Sequence, residues 1–213
     1  GSVRMCIRDI VQYDAISVQG MLDANKESFG QRVIPTYHLD KADVIVSFGA
    51  DFLVSWLNTS FEKQYIANRN PKSGKMSRHF QIETNMSLSG SNADIRIPVK
   101  PSEKLNLLEN LFDTLNGNST ANDKIKDVVA ELTSAKGKSL VICDSNDKAI
   151  QIMVNAINDM LGNYGKTIDM GQPSLLKAGD DNAVAQLIKD MNDGKVGALI
   201  MSGVNPSYTL ADA

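Results

Sequence analysis

A chain of 213 residues with 42% hydrophobic and 22% charged residues has the length and make-up of one large or two small globular domains. Its 22 Lys and Arg against 25 Asp and Glu give a net charge of -3, so no strong positive field draws it to nucleic acid or to an anionic membrane. No run approaches the roughly 20 apolar residues of a membrane span, which argues against direct membrane insertion.

In chain order, residues 14–29 place Ile16, Met21, Leu22 and Phe29 at helical spacing and stop at Gly30. "QRVIPTYHL" and "ADVIVSFG" follow as strands, and the unbroken Val44, Ile45, Val46 of the second predicts a central strand covered on both faces. Helical spacing of Leu57, Phe61, Tyr65 and Ile66 predicts a helix from Trp56 to Arg69, broken by Pro71 and Gly74. "RHFQIE" and "DIRIPVK" are short strands joined by the polar "TNMSLSGSNA". A helix follows with Leu105, Leu108, Leu111, Phe112 and Leu115 on one face, ended by Gly117.

The polar, turn-rich "GNSTAND" at 117–123 reads as a boundary, dividing the chain into a first α/β unit at 1–117 and a second at 121–213. Beyond it come a helix carrying Ile125, Val128, Val129 and Leu132, the strand "SLVIC", and a helix at 146–161. The strand "KTIDM", a helix at 181–193 and the strand "GALIM" complete the run. Alternating strands and helices predict right-handed crossovers and mainly parallel, Rossmann-like sheets. The opening Gly-Ser reads as an expression scar, and the early stop after "GALIMSGVNPSYTLADA" as a piece cut from a longer chain at both ends. "IVSFGADF" and "LIMSGVNP" echo one another, aligning Gly49 with Gly203 and Asp51 with Asn205.

Ligands of open parallel sheets sit beyond the carboxyl ends of the strands. Gly49 and Gly203 stand at such ends, each followed by an Asp or Asn able to bond a ribose hydroxyl or a base edge. The plain alternative is a turn glycine with a local Asx hydrogen bond. Neither GxGxxG nor GxxxxGK[ST] is present, and "SLSGSNAD" is at most a small nest of N–H groups. His38 and His79 lie near no nucleophile signature and read as structural. Cys6 and Cys143 belong to no CxxC or Cys/His cluster and read as buried thiols, so no residue is assigned to a metal. Asp43, Asp51, Glu62, Glu83 and Asp94 lack the spacing of a metal loop; Asp51 and Glu83 stand out because both fall at strand ends. "NTS", "NMS" and "NST" match the glycosylation sequon, which arises often by chance.

"KADVIVSFGADFLVSW", continued by "GKMSRHFQIETNMSLSGSNADIRIPVKPSEK", resembles the molybdopterin oxidoreductase-like subunit of bacterial alternative complex III, a quinol-oxidising respiratory complex. That subunit is similar to the large subunits of the dimethyl sulfoxide reductase superfamily. "LGNYGKTIDM" looks like the superfamily's Gly-Asn-x-Gly segment, and "GALIMSGVNPSYTL" like its strand followed by Gly-x-Asn-Pro. The resemblance covers most of residues 33–210 and is most specific over 75–103. It implies a cradle for the nucleotide ends of molybdopterin guanine dinucleotide, with Gly49 and Asp51 in one strand-end loop and Gly203, Asn205 and Pro206 in another.

Where the superfamily has Asp-Pro-Arg-x-x-Glu-Thr, Glu83 stands at the Asp and Asn85 departs from the Pro-Arg chemistry, while "PSE" at 101–103 replaces a Pro-Gly-Thr-Asp turn. An added methylene moves carboxylate oxygens by more than about 1 Å, and losing the Arg removes a multi-donor cation suited to phosphate. The resemblance therefore implies a structural piece of an electron-transfer subunit with a degenerate cradle at Gly49, Asp51, Glu83, Asn85, Gly203 and Asn205. No cofactor is expected in this chain. Molybdopterin guanine dinucleotide would belong to the parent, iron-sulfur clusters to other parts of it, and other subunits of a membrane-bound complex would be the partners. The implied location is the periplasmic face of the bacterial inner membrane. Two alternatives are part of an active molybdenum bis-pterin guanine dinucleotide oxidoreductase and a free-standing α/β nucleotide-binding module.

Overall fold

Val44, Ile45 and Val46 are β-branched and consecutive, a run that is stable only where both faces of a strand are buried. The computed structural model, which describes residues 10–58, 61–74 and 76–210, places them in that setting. They open β2 (Val44–Phe48), every residue of which is buried. Parallel partners flank it: β3 (Arg78–Glu83) on one side and β5 (Ser139–Cys143) on the other, with β4 (Ile95–Pro98) parallel to β3. The sheet order is β4-β3-β2-β5, and the fold is mixed α/β of Rossmann-like type.

One face of this sheet presents Val44, Val46, Phe48, Phe80, Ile82 and Val141 to a core shared with three helices. These are α4 (Pro101–Leu115), α5 (Lys126–Ser134) and α6 (Lys148–Met160). The remaining elements of the same unit are α1 (Gln19–Phe29), α2 (Phe61–Ala67), α3 (Leu88–Ser91), and a two-stranded antiparallel sheet of β1 (Ile34–Tyr37) and β6 (Ile168–Ser174).

Contacts divide the chain into a unit of residues 20–176 and a second unit holding 177–210 with 10–19. The stretch 117–123, expected as a boundary, lies inside the larger unit: β5, which follows it, pairs with β2, which precedes it. The smaller unit contains α7 (Asp181–Asn192) and α8 (Pro206–Thr209). "GALIM", expected as a strand, forms none; Ile200 is 94% exposed, because an extended run becomes a strand only when a neighbour accepts its backbone hydrogen bonds. "KTIDM" does form a strand, β6, yet it pairs antiparallel with β1 and takes no part in the parallel sheet. The helix expected from Trp56 is a 3-10 turn at Trp56–Asn58 and then α2, with residues 59–60 outside the described set. Ile16 precedes α1 and is exposed, and Leu105 is partly exposed on α4, which buries Leu107, Leu108 and Leu111. Cys6 also lies outside the described residues. Cys143 is a buried free thiol whose pKa burial pushes up to about 11.

The outer edge of β5 is closed by side chains. A parallel strand turns the N–H and C=O of alternate residues to opposite sides, so Ser139, Val141 and Cys143 face away from β2. The Asn158 amide donates to the Val141 carbonyl at 2.8 Å and accepts from its N–H at 3.1 Å, standing in for a neighbouring strand. Thr167 Oγ1 donates to the Ser139 carbonyl at 2.6 Å and Gln151 Nε2 to the Cys143 carbonyl at 3.2 Å. Gln151, Val154 and Asn158 share one buried face of α6, and that face meets the strand edge. Asn163, from the Gly-Asn-x-Gly stretch, donates to Asn158 Oδ1 at 2.9 Å and accepts from Ser139 Oγ at 3.0 Å. Replacing Asn158 by Ala leaves both polar groups of Val141 buried and unpaired. The expected loss is about 2–4 kcal/mol in urea-unfolding free energy, and Asn158→Leu, which fills space without bonding, is expected to restore little of it.

Candidate functional site

The order β4-β3-β2-β5 means that the chain leaves β2 in one direction to reach β3 and β4, then crosses back to place β5 on β2's other side. The crevice between the carboxyl ends of β2 and β5 is the topological switch point, where open α/β sheets take their ligands. Gly49 lies at this point with φ of 80°, a left-handed conformation that favours glycine. A Cβ there would collide with the Asp144 carboxylate and the Lys104 ammonium group. Those two groups form an ion pair at 2.6 Å, joining the first turn of α4 to the residue after β5. The pair is partly exposed, so solvent screens it and its worth to stability is small. Sequence reasoning passed over both residues, although Asp144 directly follows "SLVIC" as Gly49 follows β2.

Asp51 is two residues beyond Gly49. Its carboxylate Oδ1 accepts from the Ser89 backbone N–H at 2.9 Å and from Ser89 Oγ at 2.7 Å. Its backbone carbonyl accepts from the N–H groups of Val54, Ser55 and Trp56. Ser89 Oγ also accepts from Leu53 N at 3.0 Å, so α3 and the loop after β2 hold one another.

Glu83 ends β3 and is buried. Its Oε1 accepts from Arg96 Nε at 2.7 Å and Ser87 N at 3.1 Å; its Oε2 accepts from Ser87 Oγ at 2.6 Å and Gln81 Nε2 at 3.1 Å. Burial pushes its pKa up, but the bonds from Ser87, Arg96 and Gln81 outweigh burial and hold it below the usual glutamate range. Ser87 Oγ in turn accepts from Gly90 N at 2.9 Å as the N-cap of α3. Gly90 passes so close that any Cβ on it would strike the Glu83 carboxyl group.

Glu83 is the last of three polar side chains, His79, Gln81 and Glu83, that alternate along β3 and therefore share a face. All three are buried. Gln81 donates to Glu83 and lies 3.4 Å from the Ala50 carbonyl, which leaves its Oε1 to accept from His79 Nε2 at 3.1 Å. His79 Nδ1 faces the Tyr65 hydroxyl at 3.0 Å. The ring packs against Phe52 at 5.1 Å, and burial pushes its pKa down to about 4 despite the Gln81 bond. Asp94 accepts from His79 N at 2.7 Å and takes both Arg69 nitrogens at 2.8 and 2.9 Å. The Arg69 bonds keep its carboxyl below the usual aspartate range.

Of the residues expected at the cradle, the structure gathers Gly49, Asp51 and Glu83 around the ends of β2 and β3. Asn85 is exposed in the turn after Glu83. Gly203, with φ of 67°, and Asn205, which precedes α8, belong to the other unit and are exposed, with no strand before them. Glu103 of "PSE" lies in the first turn of α4, where it accepts from Lys100 N at 3.1 Å. His79 belongs to a continuous buried network that its position in the sequence does not foretell. No protein-family model matches the chain, and no curated protein matches it.

Gly90→Ala is expected to destabilise by about 2 kcal/mol or more through the clash with Glu83. In a Glu83→Ala background the same change is expected to cost less than half as much, which a double-mutant cycle of denaturation energies measures. Acid acts on the ladder with one sign. His79 binds its proton near pH 6.5 when unfolded and near 4 when folded, so its contribution is complete above about 6.5 and falls as pH drops toward 4. The loss is on the order of 3 kcal/mol, and His79→Gln is expected to flatten that part of the stability profile. The depressed carboxyls of Glu83 and Asp94 add further loss as pH falls through their folded values.

Proposed function

We propose that this chain is part of a molybdopterin oxidoreductase-like subunit in a quinol-oxidising respiratory complex, where it serves as structural scaffold around a degenerate cofactor cradle. The resemblance over residues 33–210 supports the family reading. The scaffold reading is carried by Glu83: four donors from its own chain meet a carboxylate that has about four acceptor sites. A guanine edge needs such lone pairs left open, and at this strand end they are committed to Ser87, Gln81 and Arg96. Arg96 is held to Glu83 through Nε, and its Nη2 lies 3.5 Å from the Thr84 carbonyl.

In this reading the chain moves no electrons itself. It holds loops in place within a subunit at the periplasmic face of the bacterial inner membrane. Electrons pass from quinol to a soluble acceptor through iron-sulfur and haem centres elsewhere in the assembly. Anaerobic purification of the full-length subunit, with metal and pterin analysis, is expected to find molybdenum far below one per chain. One molybdenum with bound guanine dinucleotide would overturn the scaffold reading and support an active molybdenum oxidoreductase instead.

A free-standing nucleotide-binding module is favoured by one observation, the position of Gly49 at the switch point. Titration calorimetry of this chain with GDP and GTP separates the two. The scaffold reading expects no heat of binding at micromolar concentrations, and micromolar affinity would establish the module.

A further inference from the structure

The Tyr65 hydroxyl has one hydrogen and two acceptors in reach: His79 Nδ1 and the Asn92 carbonyl oxygen, each at 3.0 Å. Gln81 fixes the other side of the ring. Its amide nitrogen lies toward Glu83 and Ala50, so its oxygen takes a hydrogen from His79 Nε2. Neutral His79 therefore carries its proton on Nε2 and offers Nδ1 as a bare acceptor. In that state the two acceptors compete for one hydroxyl hydrogen, and one goes without. With a proton on Nδ1 the competition ends: Nδ1–H donates to the Tyr65 oxygen, and the Tyr65 hydroxyl donates to Asn92.

We propose that Tyr65, His79 and Asn92 form an acid-operated hydroxyl switch, in which protonation of the buried imidazole turns the Tyr65 hydroxyl from His79 onto the Asn92 carbonyl. This does not rest on the respiratory reading. Asn92 is the residue that ends α3, and α3 carries Ser89, the partner of Asp51 at the tip of β2. The switch thus couples one proton to the grip on the loop covering the strand ends.

The charged ring would sit among groups from every element packed on it. The Asp94 carboxylate, before β4, accepts from the His79 backbone and favours the charge; Glu83, reached through Gln81 on the same strand, does likewise. Arg69, just after α2, opposes it, and so does burial against Phe52 and Tyr65, the largest effect. The balance places the change near pH 4.

The test is an NMR titration of the whole chain, in which His79→Gln assigns the His79 signals against those of His38, the one other histidine. At neutral pH, His79 is expected as the Nε2–H tautomer. It should then titrate near pH 4, with the Asn92 carbonyl carbon shifting at the same midpoint. Tyr65→Phe removes the hydroxyl, and with it the acceptor for Nδ1–H. The His79 midpoint should fall by a further one unit or so, about the worth of a hydrogen bond to a charged group, and Asn92 should stop following pH. An Nδ1–H tautomer of His79 at neutral pH would overturn the switch, as would an Asn92 carbonyl indifferent to pH in the unsubstituted chain. So would a midpoint unmoved in the variant, or loss of the fold before His79 takes up its proton. The unsubstituted measurement decides the matter even where Tyr65→Phe does not fold.

Discussion

A carboxylate removed from water must be given back the hydrogen bonds it loses, and at the end of β3 that requirement organises everything nearby. Glu83 draws Arg96 from β4, Ser87 from the start of α3 and Gln81 from its own strand. Each of those residues is then fixed for a second purpose. Ser87 caps α3, which brings Ser89 to Asp51 and so ties the loop after β2. Gln81 sets the tautomer of His79, which meets α2 through Tyr65. The main chain at residue 90 is left with room for hydrogen alone. One acidic side chain thereby connects α2, α3 and three strands.

The two faces of the sheet solve burial differently. Toward α4, α5 and α6, apolar side chains supply the driving force, and packing is the only constraint. On the other face, β3 contributes a polar ladder in which each donor has a designated acceptor. Such networks specify geometry more than they add stability, since a partly satisfied member is costly. The β5 edge follows the same logic. Amides of Gln151 and Asn158 and the Thr167 hydroxyl occupy backbone groups that an exposed edge would offer to another strand.

Most helices and strands were legible in the sequence because they rest on local pattern: β-branched runs for β2 and β5, helical spacing for α4 through α7, glycines after them. Partner choice was not legible. Nothing in "KTIDM" says that β1 is its neighbour, and nothing in "GALIM" says whether any neighbour exists, because both depend on backbone groups far away in the chain. Gly49, Asp51 and Glu83 were found because strand ends can be located from pattern. Lys104 and Asp144 were not, since their meeting depends on β5 lying beside β2. The ladder was missed for a related reason: His79, Gln81 and Glu83 alternate visibly, but an alternating polar set ordinarily marks a solvent-facing side of a strand. Only the cover provided by Phe52, Tyr65 and α3 reverses that reading.

A strand end can also be ordered by the bonds of its own chain. A strand-end loop that binds a dinucleotide keeps polar groups open for the ligand, and without ligand those groups must find water or one another. Here the Glu83 carboxylate meets Ser87 and Arg96. The loop is thereby held by the protein's own bonds. Gly49 and Asp51 each serve the fold: Gly49 because Asp144 and Lys104 fill the space beside it, Asp51 because its carboxylate holds Ser89.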